Sequence, residues 1–425
     1  MFLSGRWVLL LALLSYWNAL FAQEISPYSR FGLGVPSPSS FSAQKGMGRL
    51  ISGYRDPLHI NFNNPASYSN LALTTLETGF KFSTKKITDG QTDNTYRTGD
   101  GYLDYLALGF PAGNKAGISV GIVPYSEMNY SFQTNKEYNT ISALQSYEGS
   151  GRTYQLYIGG GYRYPKNDTA NNTFALGLNF SYVFGDLDRK TILSFQDQGY
   201  YNTRVISESK LNNLAINPGF QFRRKINDTL SVVIGAYSLL PVAVKSSEYL
   251  KWDRFIVLSG GTATLDTLYE DTQDNKAIKI PVDIGFGATI SNRNKWMAGF
   301  DVRFSRWEDL ELFFDDAKLK NTIEFNVGGE YRPNLLSQSL FKVSTYRLGF
   351  FYNNGFLEMD NERIGEYGFT FGMDFPIKTM FSRLNFSFEV GNKGTTKNGL
   401  ISETFFKAYL GLTLNDKWFI KPKYD

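Results

Sequence analysis

One pattern constrains this chain more than any other: large apolar and small polar side chains alternate strictly, segment after segment. TFALGLNFSYVFG at 173–185 sets Phe174, Leu176, Leu178, Phe180, Tyr182 and Phe184 on one face, with Ala175, Gly177, Asn179 and Ser181 on the other. EYGFTFGMDF at 366–375 opposes Tyr367, Phe369, Phe371, Met373 and Phe375 to Gly368, Thr370, Gly372 and Asp374. The same period runs through 278–290, 323–331 and 383–391. Period two is a β-strand. An apolar face this rich in aromatics suits lipid, and the small polar face suits a lumen. A charge on the lipid face near the midplane costs about 2–4 kcal/mol; Asp283, Asp301, Glu324 and Glu389 all fall on the small, polar side. Composition agrees. Phe 35, Tyr 27 and Gly 40 are abundant, yet mean hydropathy is only -0.28, as expected when half of every strand faces a polar interior.

A large soluble sandwich or propeller also alternates, but these strands reach the ~9–11 residues that a tilted membrane crossing needs. Their connections also alternate between short and long. The short set, at 111–116, 165–172, 224–229, 291–295, 332–341 and 376–382, is dense in Asn, Asp, Pro and Lys. The long set lies near 87–99, 135–150, 197–203, 252–277, 305–321, 354–364 and 393–404. Between them the sequence predicts fourteen strands, from 72–86 to 404–414, an even number as closure requires. The expected fold class is all-β: a transmembrane antiparallel β-barrel of 14 strands with an N-terminal plug.

The first residues, MFLSGRWVLLLALLSYWNALFAQE, read as a signal peptide over 1–22, with Arg6 as its basic region, an apolar core from Trp7 and cleavage near Gln23. With Cys 0, no disulfide, thiolate metal site or lipid-anchored cysteine is available. A net charge of +4 over 425 residues predicts no nucleic-acid partner. His59 is the only histidine. One His without Cys gives no metal site, no cofactor site and no Ser-His hydrolase, so the chain is expected not to be an enzyme. The acidic stretch 307–318 reads as a solvated loop with a short amphipathic turn. Trp418, Phe419 and the basic residues after them extend the last strand or form a contact tag.

Residues 23–70 precede the first strand and cannot be one, carrying Pro27, Pro36, Pro38, Pro57 and Pro65. They are also too aromatic for a disordered leader. Fourteen strands enclose more space than wall side chains fill, so the segment belongs inside the barrel. GGGYR at 159–163 then supplies close-packing positions against it. Within the segment, KGMGR at 45–49, Ser52-Gly53, Asp56 and NNPAS at 63–67 occur in an order that resembles the N-terminal hatch of the FadL/TodX outer-membrane transport proteins. The resemblance implies hatch roles for Gly46, Gly48, Arg49, Ser52, Gly53, Asn64, Pro65 and Ala66. It divides the chain into a signal peptide (1–22), a hatch (23–70) and a barrel (71–425). Pro124 sits inside the third strand, where it removes a ladder hydrogen bond. By resemblance, Pro124 and Tyr125 mark a lateral gate; an ordinary bulge is the plainer reading.

The expected function is passive uptake of hydrophobic small molecules, such as long-chain fatty acids or aromatic hydrocarbons, across the outer membrane of a Gram-negative bacterium. Ligand would be released sideways through the wall. Aromatics at Phe132, Tyr138, Tyr147, Phe195, Tyr200, Tyr201, Phe313 and Phe314 would form a landing site or the interfacial girdle. The alternative is a non-transporting barrel subunit of a secretion or assembly complex, with outer-membrane or periplasmic proteins as partners. Outer-membrane lipid and lipopolysaccharide surround the barrel in either case. An aqueous porin is a third reading, opposed by the plug.

Overall fold

A computed structural model describes residues 25–418, except positions 39, 139–140, 166–170, 196–199, 243–244, 259–260, 293–294, 311–317, 335–336 and 378. Fourteen antiparallel strands form a closed barrel. They are β1 (Thr74–Asp89), β2 (Thr95–Ala112), β3 (Ala116–Tyr138), β4 (Ile141–Tyr164), β5 (Asn172–Phe195), β6 (Asn202–Lys225), β7 (Leu230–Val242), β8 (Val282–Asn292), β9 (Trp296–Arg306), β10 (Thr322–Tyr331), β11 (Thr345–Asn353), β12 (Glu366–Ile377), β13 (Thr379–Gly394) and β14 (Ile401–Asp416). β14 pairs with β1 from Thr74↔Asp416 to Asp89↔Ile401, so the barrel has no open seam there. Among the described residues no helix is long and apolar enough to cross a membrane; the crossing is made by strands.

The alternation sorts side chains as the period demands. Leu176, Phe180 and Phe369 are 64%, 59% and 65% exposed on the outer surface, whereas Asn179, Thr370 and Glu389 are at most 1% exposed inside. Outward apolar side chains meet lipid, and inward polar ones meet the residues that fill the lumen.

Several expected loops are strand. β1 and β2 continue through most of 87–99, and β3 and β4 through most of 135–150. The expected loop 252–277 belongs to a hairpin of two strands, Lys245–Leu258 and Gly261–Ala277. Its first strand pairs with the outer half of β6, from Asn202↔Phe255 to Lys210↔Ser247. Past the membrane a strand keeps its ladder but loses its lipid face, so the apolar alternation that marks strands in the sequence fades. In the 307–318 stretch, Trp307 and Leu310 are buried and Trp307 stacks on Phe356 at 4.5 Å. The expected amphipathic turn is there, its apolar side packed down while Glu308 and Asp309 stay exposed, and positions 311–317 of the stretch lie outside the described residues. Residues 1–24, where the signal peptide is expected, and 419–425 lie outside the described residues.

Residues of the N-terminal segment are buried against inward-facing residues of the wall. Met47, Leu50, Ala66 and Tyr68 are completely buried and Phe41, Tyr54 and Ile60 nearly so. Phe41 stacks on Phe62 at 5.4 Å and on Tyr105 of β2 at 4.1 Å.

Candidate functional site

Each residue singled out in the N-terminal segment sits where that segment touches the wall. Gly46 lies against β12; a Cβ there would stand 2.7 Å from Gly372 Cα and 2.8 Å from Ser387 Oγ. Gly48 has φ +71, which favours glycine, and its N–H donates to Thr370 Oγ1 at 2.8 Å. The Ser52 N–H, like that of Ile51, donates to the Asp301 carboxylate of β9. The Gly53 carbonyl accepts from Thr289 Oγ1 at 2.8 Å. Asn64 Nδ2 donates to the Ser52 carbonyl at 2.8 Å and to the Phe220 carbonyl at 3.2 Å. Pro65 and Ala66 lie on a floor of Gly161, Gly177 and Gly219, where any side chain would overlap the segment's backbone or the Asn64 side chain. Of the glycines at 159–161, Gly161 lies under Pro65, whereas Gly159 meets Asn179 of the neighbouring strand and Gly160 meets none of the segment. In these contacts the motif touches seven wall strands, β4, β5, β6, β8, β9, β12 and β13, and wall glycines let backbone lie on backbone.

The charges of the segment are paired with charges of the wall. Arg49, itself at φ 64, donates to Glu389 from Nε at 3.0 Å and Nη2 at 2.7 Å, and lies 3.6 Å over the Phe351 ring. Lys45 pairs with Asp104 of β2. Asp56 accepts from Arg332 at 2.9 Å; burial opposes its charge, but Arg332 outweighs burial and holds the carboxyl down at about 2. His59 is buried with Nδ1 2.6 Å from Glu77 Oε1 and Nε2 3.9 Å from Asp374 Oδ2. Burial disfavours the imidazolium, but the Glu77 carboxylate, with Asp374 and Asp56, raises its pKa to about 9. His59 is therefore a cation in a carboxylate cage, a poor general base at neutral pH. Asp301 and Glu389 stand out in the sequence only as lumen-side acids and Glu77 not at all; their partners in the segment, 250, 340 and 18 residues away, leave no local signal.

β3 departs from regular pairing where the sequence places its proline. Pro124 pairs with Tyr154 and Ser126 with Thr153, so Tyr125 is the extra, bulged residue. Just before it, the ladder between β2 and β3 ends at Leu106↔Ile122. Beyond that pair β2 bonds only β1 across Thr95–Tyr105, and the wall is parted. The N-terminal segment occupies the β3 edge of the parting. Val35 and Pro36 pair with Glu127 and Ser126, the Ser37 N–H donates to the Tyr125 carbonyl at 2.9 Å, and the Ser26 N–H donates to the Asn129 carbonyl at 2.9 Å. Side chains bridge what remains. Arg152 of β4 donates to Glu127 of β3 at 2.6 Å and to Asp100 of β2 at 3.2 Å, with its guanidinium 3.7 Å over the Tyr102 ring. Nothing in the period-two pattern announces this two-residue strand.

Toward the long-connection end, Tyr28 and Leu33 pack with Met128, Tyr130, Leu187 and Trp307 in one buried apolar cluster, with Phe132, Tyr147 and Tyr125 against it. Of the expected landing-site aromatics, Phe132 and Tyr147 thus join this cluster, while Tyr200 and Tyr201 are exposed and Phe195 packs on Tyr200; Phe313 and Phe314 lie outside the described residues. Two cavities there measure about 90 and 40 Å³. The larger is lined by Arg49, Arg303, Glu324, Glu366, Lys393 and Lys407 among others. At the short-turn end a cup of about 950 Å³ opens between the segment and the turns. Among the described residues no group of three or more His, Asp and Glu could hold a metal.

A family model described as BamG matches residues 6–425. The chain belongs to the BamG family. No curated protein matches this BamG-family chain in sequence. Solved structures do match it in fold. The toluene transporter TodX of Pseudomonas putida superposes with a TM-score of 0.57 at 13% identity, covering 89% of this chain and 98% of that one. A FadL homologue from Pseudomonas aeruginosa and the toluene transporter TbuX of Ralstonia pickettii each give 0.55 at 12% identity, again over 89% and 98%. These matches show that the BamG-family chain shares the barrel fold of TodX, TbuX and the FadL homologue.

Proposed function

We propose that this protein resides in the outer membrane as a closed barrel, with residues 23–70 as its hatch, and acts there as a scaffold that holds partner proteins rather than as a conduit. The observation that carries this reading is the filling of the lumen. The hatch is bonded to wall strands on several sides through Asp301, Glu389, Thr289 and Asp104. The cavities of about 90 and 40 Å³ beside it are bordered by charged groups, whereas even a benzene ring takes an apolar hole of about 150 Å³. An apolar ligand resting there would desolvate ion pairs without replacing their partners.

Passive uptake of hydrophobic molecules is the second reading. It is supported by the parting beside Pro124 and Tyr125 and by the architecture shared with TodX. It requires the 26–37 stretch to leave the β3 edge, so that the parting becomes a lateral gate and the hatch motif a moving element. Native mass spectrometry of the gently extracted protein, with lipid extraction of the same sample, separates the two. A stable complex with other envelope proteins and no apolar ligand is the expected result. A monomer carrying a stoichiometric apolar ligand other than phospholipid would overturn the scaffold reading in favour of uptake.

A further inference from the structure

The hairpin beyond the wall ends in an open edge. Its first strand, Lys245–Leu258, is bonded on both sides, by the outer half of β6 and by the second strand, Gly261–Ala277. Among the described residues the second strand pairs with the first alone. Nine of the ten residues at 261–270 are exposed, so its faces are uncovered as well. Such an edge presents unpaired N–H and C=O groups to any chain that can extend beside it, and proteins usually blunt it with proline, lysine or bulges. This strand has no proline, and its one lysine, Lys276, stands at its end. Its register shifts fall at Thr264/Asp266, Thr267/Tyr269 and Gln273/Lys276, which leaves Tyr269–Gln273 as the longest regular run.

That run is acidic. Asp266, Glu270, Asp271 and Asp274 lie in it or flank it. Asp266 stands 3.6 Å from Arg254. Among the described side chains the other three accept only from neutral groups: Glu270 from the Tyr249 hydroxyl at 2.9 Å, Asp274 from Ser247 Oγ at 2.9 Å, and Asp271 from Gln273 Nε2 at 3.3 Å and the Tyr269 hydroxyl at 3.4 Å. Lys251, opposite Glu270 in the ladder, reaches Asp253 at 3.8 Å instead. Tyr269 and its cross-strand partner Trp252 are both exposed.

We infer that the Tyr269–Gln273 edge takes up, by strand addition, an extended segment of a partner protein that carries lysine or arginine. The contact lies on the side of the long connections, which in bacterial barrels is extracellular. The inference rests on the scaffold reading and names one contact through which a partner would be held. Strand addition draws affinity from backbone hydrogen bonds and specificity from side chains. Here the acids select a basic strand, and Trp252 and Tyr269 offer it an aromatic surface to cover. A second copy of this chain fits worse: antiparallel pairing centred on the run sets Asp271 against Asp271, and like charges directly opposite are destabilising.

The test uses the full-length protein in detergent and fluorescence anisotropy of three labelled peptides: alternating Lys/Thr, alternating Glu/Thr, and the Lys/Thr peptide N-methylated along its backbone. The Lys/Thr peptide is expected to bind, with affinity falling as salt rises, and the Glu/Thr peptide is not. N-methylation removes the ladder donors and should weaken binding at least about tenfold, as should the double variant Glu270→Lys, Asp271→Lys. Leu239 and Asp283 are paired neighbours, so a short Gly/Ser linker can replace residues 246–276. Heat-modifiable gel mobility shows that the resulting barrel is folded, and it should not bind the peptide. Equal binding of the Lys/Thr and Glu/Thr peptides, undiminished binding of the methylated peptide, or binding retained without the hairpin overturns the inference. So does a dimer in light scattering that disappears with the hairpin, which would make a second copy the occupant. A native complex that survives loss of the hairpin leaves the scaffold standing and refutes this contact. Peptide binding at the edge without any native complex supports the edge and refutes the scaffold.

Discussion

Two residues of the N-terminal segment, Arg49 and His59, make different kinds of prediction. Arg49 and Glu389 are a buried pair, and removing Arg49 leaves the Glu389 carboxylate with only Lys407 at 3.9 Å and the Tyr409 hydroxyl at 3.2 Å. Arg49→Ala should cost on the order of 3–5 kcal/mol, read as a drop in the thermal midpoint of the detergent-solubilised protein. Arg49→Met combined with Glu389→Gln should recover much of it. His59 gives a pH signature. Its pKa rises from 6.5 to about 9 on folding, so its contribution is complete below pH 6.5 and is lost as pH climbs through 9. The magnitude is on the order of 3 kcal/mol. The thermal midpoint should fall between pH 6.5 and 9 in the parent, and that fall should vanish in His59→Gln. A flat profile in the parent would refute the caged cation. At Gly177, whose floor position admits no side chain, Gly177→Val should cost about 1–3 kcal/mol and expose the 60–70 stretch to protease.

At the scale of elements, the chain's lack of cysteine makes the strand at Val35–Pro36 testable. Val35 and Glu127 are paired across the ladder, so Val35→Cys with Glu127→Cys places two thiols within disulfide reach. Under the scaffold reading the locked protein keeps its native partners, with or without reductant. Under the uptake reading the lock abolishes ligand passage and reductant restores it. Which elements were legible in the sequence follows from the same physics. The fourteen wall strands announce themselves because lipid enforces a one-sided apolar face on each, as at Phe174–Phe184 and Tyr367–Phe375. The 245–277 hairpin carries no such face, having left the membrane, and reads as loop. Pro124 marks the bulge because a missing N–H is a local fact. The parting between β2 and β3, and the stretch that fills it, depend on pairing at a distance.

For the whole molecule the proposed hatch predicts electrical silence. Planar-bilayer recordings of the intact protein should show no steady conductance, while a chain lacking residues 25–70 should open a water-filled channel of the porin type. A steady open pore in the intact protein would refute the plug. At this scale composition and prolines mark residues 23–70 as something other than a wall strand, and the resemblance proposes a hatch for them. The specific ion pairs were not legible, because charge pairing follows three-dimensional neighbourhood and leaves no spacing rule in the chain.

The closure of β14 onto β1 also dictates an order of events. The hatch is joined directly to β1, so it is present before the last strand exists, yet it is surrounded only when Thr74 and Asp416 come into register. Seating the segment before that step spares it threading into a closed barrel, so assembly is expected to close the wall around contents already in place.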